Sequence, residues 1–236
     1  DSYPTLVHAI KQGRTIYNNL KKTVLASLTS NGAELSIVLL GLIGAAVFGW
    51  AIPILAIQIL SIDLLAEILP LTALTFDPGS EDLMTTPPRE QDEHIINQSS
   101  IIEVLFLGIL MGSLAFINYG LFAAGVEGTL TENHPLYAKA TTLTYLTIVV
   151  CQLINILSRR YEQSSFFNKN LFSNPKMTYS IVLSIGLVLA AVYVPGLNSY
   201  LDFVPVSFSA WIRVLAAGGV FLAAFEGVKW YKRNRV

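Results

Sequence analysis

Two long stretches without charged residues constrain this chain more than any other feature. Residues 35–62 and 104–126, which are 28 and 23 residues long, contain no Asp, Glu, Lys or Arg. About 20 mostly apolar helical residues are enough to cross the roughly 30 Å hydrocarbon core of a bilayer. The whole chain carries only 13% charged residues, against about 25% in an average soluble domain. A membrane protein is therefore predicted, and a soluble protein with buried helices is the weaker alternative.

Further apolar segments of similar length bring the number of predicted spans to six. The spans cover residues 24–48, 54–76, 101–125, 138–157, 177–194 and 208–230, with boundaries good to about three residues. Residues 1–23 are polar and predict a helical lead-in to a membrane domain at 24–236. The predicted fold is all-α, a polytopic bundle of six transmembrane helices.

The distribution of basic residues predicts the orientation of this bundle. Six spans place both termini on one side, and cytoplasmic loops are enriched in Lys and Arg. The terminal side carries Lys11, Arg14, Lys21, Lys22, Arg89, Arg159, Arg160, Lys169, Lys229, Lys232, Arg233 and Arg235. The opposite side has little positive charge, with Lys139 accompanied by Glu127 and Glu132. Both termini are therefore predicted to be cytoplasmic.

Several classes of function are disfavoured by what the sequence lacks. Cys151 is the only cysteine, which excludes a disulfide framework and a Cys/His metal cluster. Neither a GxxxxGK[ST] phosphate loop nor a GxGxxG fingerprint occurs. The basic segment KWYKRNRV near the C-terminus fits positive-inside anchoring with an aromatic belt. The expected partner is the lipid bilayer, and no nucleic-acid partner is expected.

Three acidic residues lie well inside the first two spans, where a charge is costly. Glu34 precedes Trp50 by 16 residues and Glu67 follows Pro53 by 14 residues. At roughly 1.5 Å per residue, they lie about 24 Å and 21 Å along antiparallel helices from one tight turn. Asp63 precedes Glu67 by four residues and shares its helix face. Three carboxylates are thus predicted at nearly one depth.

These carboxylates repel one another unless cations or protons neutralise them, and neither span supplies a Lys or Arg between them. Carboxylates, the Asn31 amide and the Ser30 hydroxyl offer only oxygen ligands, which suit hard cations such as Na⁺, K⁺ or Ca²⁺. Pro70 cannot donate a hydrogen bond to the carbonyl of Ala66, so a loosened helix is predicted beside Glu67. The alternative is a structural kink with protonated acids.

The role of polar residues in the later spans is less clearly indicated by the sequence. Gln152 and Asn155 are three residues apart on one helix face. They either form helix–helix hydrogen bonds or contribute to an ion site, and the spacing does not decide between the two. Glu226 precedes Lys229 by three residues, which predicts an intrahelical ion pair.

Four segments resemble those of one family of pumps. They are GRTIYNNLKK at 13–22, TSNGAE at 29–34, SIDLLAEILP at 61–70 and DPGSEDLMTTPPR at 77–89. In order, they resemble the stalk, the fifth-helix ion-binding motif, the unwound sixth helix and the cytoplasmic loop touching the phosphorylation domain of type II P-type cation-transporting ATPases. This family includes the Na⁺,K⁺- and Ca²⁺-pumps. The resemblance covers the whole chain, as transmembrane helices five to ten.

The resemblance implies a set of cation ligands. Asn31 and Glu34 match the family's fifth-helix ligands, and Asp63 and Glu67 match its sixth-helix ligands. Ser30, Gln152 and Asn155 are weaker candidates. The two acids of SIDLLAE are more similar to the Na⁺,K⁺ branch than to the Ca²⁺ branch.

Some positions depart from the family pattern. Ala66 replaces the usual Thr, and Val149 replaces the eighth-helix Glu of Ca²⁺ pumps. Asn155 stands where Na⁺,K⁺ pumps have an acid. A third, Na⁺-only site is therefore not expected.

The resemblance also implies what lies elsewhere. The phosphorylated aspartate of the family occurs in DKTGT, which is not in this sequence. The chain is therefore expected to be a fragment that is not catalytic alone. Its expected partners are the remaining parts of the pump: the actuator, phosphorylation and nucleotide-binding domains, where ATP and Mg²⁺ act, and the first four transmembrane helices, the fourth of which supplies further ligands.

The transported cation is expected to be Na⁺, K⁺ or Ca²⁺, with H⁺ also open. A small accessory subunit is left open, and the plasma or inner membrane is the expected location. The alternative function is a self-contained cation channel or proton-coupled secondary transporter. Such a transporter would need internal pseudo-symmetry. No repeat is visible in the sequence, which counts against this alternative.

Overall fold

The computed structural model describes residues 3–78, 84, 95–161, 165–166 and 173–234, and most of them lie in helices. The helices are α1 (Tyr3–Phe48), α2 (Ala56–Ser61), a π-helical turn (Ile62–Glu67), α3 (Ile68–Thr75), α4 (Gln98–Ala123), α5 (Tyr137–Arg160), α6 (Pro175–Tyr193), α7 (Leu197–Tyr200) and α8 (Phe208–Arg233). No strand occurs among these described residues.

Six helical stretches are long and apolar enough to cross a membrane. They are α1, the continuous stretch Ala56–Thr75, α4, α5, α6 and α8. The predicted all-α fold with six spans is therefore confirmed. The predicted span boundaries agree with the helix ends to within three residues, except at the start of α1. The cytoplasmic location of the two termini stays a prediction.

The first helix is longer than its predicted span because the polar residues before it are also helical. α1 runs for 46 residues without a break, which is about 69 Å at 1.5 Å per residue. It ends at Phe48, directly before Gly49, whose φ of +68° is readily adopted only by glycine. Since a bilayer core accounts for only about half of this length, the other half extends beyond the membrane. The polar segment and the first span thus form one continuous rod.

The fourth span lies at the centre of the bundle. In the apolar window of α5, 83% of the residues are buried, against 22% in that of α1. α5 packs against α1, α4, α8 and the α2–α3 span. Side chains of α5 can therefore reach both helices that carry the intramembrane acids.

α1 and α4 approach each other closely at two glycines. A Cβ atom on Gly112 would lie 2.6 Å from Ser36 Cβ and 2.7 Å from the carbonyl oxygen of Ala33. One turn earlier, a Cβ on Gly108 would lie 3.0 Å from the carbonyl oxygen of Thr29. Small residues four apart allow such close helix contacts in membranes. This packing holds α4 against the part of α1 that carries its candidate ligands.

A buried ion pair joins α4 and α5. Arg159 is 1% exposed and pairs with Glu103, which also pairs with Lys232 of α8. Arg159 Nη2 donates to Thr29 Oγ1 of α1 at 3.1 Å, and its guanidinium lies over the Phe225 ring. The charge of Arg159 is therefore compensated, which buried charges require.

Two sequence predictions outside the site have different outcomes. The intrahelical pair of Glu226 and Lys229 is confirmed, with an N–O distance of 2.8 Å. The predicted contact loop at 77–89 lies largely outside the described residues, which include only Asp77, Pro78 and Met84 of this segment.

Candidate cation site

The candidate site lies between α1 and the α2–α3 span. α1 contributes Asn31 and Glu34, which are three residues apart on a continuous helix. Asn31 is exposed in this chain and Glu34 is half-buried. α1 therefore presents an amide and a carboxylate to the same side.

A π-helical turn carries the other two acids. Residues Ile62–Glu67 form this turn between α2 and α3, and the N–H of Ile68 donates to the carbonyl oxygen of Asp63, five residues earlier. Single π-helical turns inside α-helices occur frequently at functional sites. Asp63 is half-buried, whereas Glu67 is only 5% exposed. The wider turn thus holds both carboxylates beside α1.

The predicted loosening of this helix occurs one turn before the proline. Pro70 itself lies in the first turn of α3, where the helix is already α-helical. Proline supplies no N–H to the preceding turn, so the chain widens at 62–67 and not at Pro70. The prediction of an irregular helix beside Glu67 is borne out by this geometry.

The three carboxylates form one electrostatic cluster without enclosing a common point. Glu34 and Asp63 lie next to each other, and both interact electrostatically with Glu67. Among the described residues, no three Asp, Glu, His or Cys side chains converge closely enough to hold one metal ion. The acids alone therefore do not make a complete coordination shell, and further oxygen ligands are needed.

Glu67 points towards α1 and α5. Gln152 Nε2 donates to Glu67 Oε2 at 2.8 Å, and Ser27 and Ser30 lie next to the same carboxylate. Asn155 instead donates to the backbone oxygen of Ala26 at 3.0 Å. Of the two polar residues of α5, Gln152 therefore contacts the acid cluster directly and Asn155 forms a helix–helix hydrogen bond.

Several buried oxygen atoms of α1 and α5 have no hydrogen-bond partner in the described part of the chain. They are Ser30 Oγ, Glu34 Oε1, Gln152 Oε1 and Asn155 Oδ1. Leaving a buried polar atom unpaired costs about 1–3 kcal/mol, so such atoms are uncommon in folded proteins. All four atoms can offer lone pairs to a cation. Their chemistry fits a hard cation or water at this depth.

An open groove of about 430 Å³ runs along the site. Its polar lining consists of Asn31, Asp63 and Glu67 together with Thr23, Ser27, Thr72 and Thr75. Sequence reasoning missed Ser27, although it precedes Asn31 by four residues and so shares its helix face. That spacing was the signal that could have identified it.

Residues 51–231 match the family described as "Cation transporting ATPase, C-terminus". The chain belongs to this cation-transporting ATPase family. The match covers the five later spans and most of the loop before them, so the resemblance drawn from the four motifs is confirmed.

Individual relatives extend the similarity over nearly the whole chain. The Calcium-transporting ATPase 1 of Bacillus cereus is 26% identical over 243 residues, covering 99% of this chain and 27% of the relative. The endoplasmic reticulum calcium ATPase srcA of Aspergillus fumigatus is 26% identical, covering 99% of this chain and 26% of the relative.

A relative named for another cation shows similar coverage. The Potassium-transporting ATPase alpha chain 1 of Xenopus laevis is 27% identical over 92% of this chain and 24% of the relative. The chain thus spans about a quarter of the length of these relatives. It is the C-terminal membrane region of a P-type ATPase, and an integral, multi-pass membrane protein.

Proposed function

We propose that this region binds the transported cation of an ATP-driven pump, with Asn31, Glu34, Asp63 and Glu67 as ligands. The observation that supports this most strongly is the π-helical turn, which holds Asp63 and Glu67 next to Glu34 on α1. The cation is Na⁺, K⁺ or Ca²⁺, because the ligand atoms are all oxygen. The relatives named for calcium and potassium transport support this class.

Gln152 has a supporting role in this proposal. Its amide holds Glu67 Oε2 through a hydrogen bond of 2.8 Å. The other oxygen of this side chain, Gln152 Oε1, is buried and unpaired in the described structure and is available to the cation. Ser30 Oγ is a further available oxygen.

The remaining ligands come from another part of the pump. The groove beside the acids is open, and a carboxylate facing hydrocarbon is costly. A further transmembrane helix therefore covers the groove and completes the coordination shell. The first four transmembrane helices of the same pump are the source of this helix.

Energy for transport comes from the cytoplasmic domains of the pump, where ATP and Mg²⁺ are bound. Both termini of this region are cytoplasmic, so the part of α1 that precedes the membrane is the stalk that reaches these domains. Because α1 is continuous from Tyr3 to Phe48, a displacement of its cytoplasmic end is transmitted to Asn31 and Glu34.

The decisive experiment replaces Glu67 by Gln in the intact pump. Cation-stimulated ATP hydrolysis should fall to background, because the buried carboxylate that binds the cation is lost. Glu127→Gln is the matched control, since Glu127 is an exposed loop residue, and it should leave activity unchanged. Comparison of Na⁺, K⁺ and Ca²⁺ as activators of phosphoenzyme formation identifies the cation.

Two results would count against the proposal. Full activity in Glu67→Gln would remove this residue from the mechanism. Cation flux through vesicles containing only this 236-residue chain, without ATP, would favour a self-contained channel or secondary transporter.

A further inference from the structure

A buried polar junction lies where the ends of α3, α5 and α6 meet, outside the candidate cation site. Asp77, two residues after α3, is 7% exposed. Its Oδ1 atom accepts hydrogen bonds from Arg160 Nε at the end of α5 and from Asn174 Nδ2 before α6, both at 2.8 Å. Arg160 and Asn174 are also buried. The Asp77 carboxylate therefore joins the α2–α3 span to α5 and α6.

The same junction includes α1. Asn19 Nδ2 donates to the backbone oxygen of Asp77 at 2.7 Å, and it lies 3.3 Å from the backbone oxygen of Thr75. Lys22 Nζ donates to the backbone oxygen of Arg160 at 3.0 Å. α1 and the end of α3 are thus held to each other and to the end of α5.

The position of this junction matters because α1 and the α2–α3 span both carry candidate ligands. Asn19 precedes Asn31 by 12 residues, and Asp77 follows Glu67 by 10 residues. These separations correspond to about 18 Å and 15 Å along the two helices. α1 is unbroken over this distance. An axial shift of α3 against α1 at the junction would therefore change the relative heights of the ligands.

We infer that Asp77 and Arg160 are positioning residues of the cation site, which hold the two ligand-bearing helices at the axial offset that cation binding requires. This inference rests on the proposed function. The central helix α5 supplies the fixed point, because it is the most enclosed span. The Asp77–Arg160 pair ties the α2–α3 span to that point, and the Asn19 and Lys22 contacts tie α1 to it.

The test measures cation affinity separately from turnover in the intact pump. Asp77→Asn keeps the shape of the side chain and removes its charge, which weakens the contact with Arg160. The cation concentration for half-maximal phosphoenzyme formation should rise roughly fivefold, while the maximal phosphoenzyme level stays near that of the wild type. Asp77→Glu restores the charge and should recover part of the lost affinity.

Glu226→Gln provides the matched control. Glu226 also accepts hydrogen bonds from a cationic side chain and from a backbone N–H, but its partner Lys229 belongs to the same helix. The control variant should keep the wild-type half-maximal concentration. If Asp77→Asn does not fold, Asn19→Ala removes one contact of the junction and should shift the half-maximal concentration in the same direction.

Two outcomes would overturn the inference. One is an unchanged half-maximal concentration in a folded Asp77→Asn protein. The other is an equal shift in Glu226→Gln. If Glu67→Gln is inactive while Asp77→Asn binds like the wild type, only the positioning role fails. If Glu67→Gln is fully active, the proposed cation site itself fails.

Discussion

Glu67 shows how one buried carboxylate is accommodated at membrane depth. It is 5% exposed and accepts a hydrogen bond from Gln152, while the neighbouring Ser30 hydroxyl and Glu34 Oε1 have no partner within the described structure. An isolated buried charge is unstable unless it is paired or neutralised. This side chain is therefore compatible with the fold only when it is protonated or when a cation lies beside its carboxylate.

The Gln152 contact leads to a prediction for one residue. Gln152→Ala in the intact pump should raise the cation concentration for half-maximal activation about tenfold, because a hydrogen bond to a charged group contributes about 1.5–3 kcal/mol. Titration of cation-stimulated ATP hydrolysis measures this effect.

Asn155→Ala is the companion variant. It removes the hydrogen bond to the Ala26 backbone. The midpoint of thermal unfolding should therefore fall, while the cation affinity should stay near that of the wild type. A larger affinity loss in Asn155→Ala than in Gln152→Ala would contradict these assigned contacts.

At the scale of elements, the α2–α3 span is the least regular helix in the described bundle. Its π-helical turn lies between two short α-helices, and Pro70 follows three residues later. A proline in this place removes one backbone donor, which lowers the cost of the wider turn. The sequence thereby favours an irregular helix at the level of the acids.

Replacing this proline tests the link between backbone irregularity and binding. Pro70→Ala restores an N–H that can pair with the carbonyl of Ala66, so the regular α-helix should become more favourable. Cation affinity should fall several-fold, as measured by cation-dependent phosphorylation of the intact pump. Pro175→Ala, at the first turn of α6, is the control and should have no effect on affinity. Unchanged affinity in Pro70→Ala would separate the proline from the site.

The contact between α1 and α4 gives a second prediction for elements. Gly112→Ala should destabilise the protein by about 1–3 kcal/mol, because the added methyl group collides with the α1 backbone and overpacking has this cost. Gly186→Ala on α6 is the matched control, since an added Cβ there meets nothing within 4 Å. Thermal unfolding in detergent should show a lower midpoint for Gly112→Ala only. Equal midpoints would show that α1 and α4 can move apart without loss of stability.

At the scale of the whole molecule, the bundle surrounds α5 and leaves the acid-bearing groove on its outside. Away from the groove, the spans expose large apolar side chains such as Leu39, Phe106 and Leu215, as expected for surfaces in contact with lipid. The groove combines apolar side chains such as Leu64 and Ile68 with one amide and two carboxylates, and a carboxylate exposed to hydrocarbon is costly. This contrast indicates which side of the bundle faces the rest of the pump.

The orientation of the bundle is tested by labelling single cysteines. Lys11→Cys and Glu132→Cys are both placed at exposed positions in a background without other cysteines. In sealed inside-out vesicles, a membrane-impermeant maleimide should label residue 11 and not residue 132, because the basic side of the bundle is predicted to be cytoplasmic. Labelling of both residues from one side would contradict the three spans that separate them. Labelling of residue 132 alone would contradict the predicted orientation.

The sequence by itself determined the number of spans, and it predicts a common depth for the intramembrane acids. Long uncharged runs define spans because the bilayer sets their minimum length. The constant rise of a helix then places Glu34 and Glu67 at one level. The motifs at 13–22, 29–34, 61–70 and 77–89 also identified the family, which the match over residues 51–231 confirmed.

Only the tertiary structure decided which polar groups meet. Gln152 and Asn155 lie three residues apart on one face of α5. Gln152 nevertheless contacts Glu67, whereas Asn155 contacts the Ala26 backbone. The junction of Asp77 with Arg160 joins residues 83 positions apart. Local sequence fixes the rise along a helix, but the rotation of each helix and its neighbours follow from packing of the whole bundle, to which distant residues contribute together.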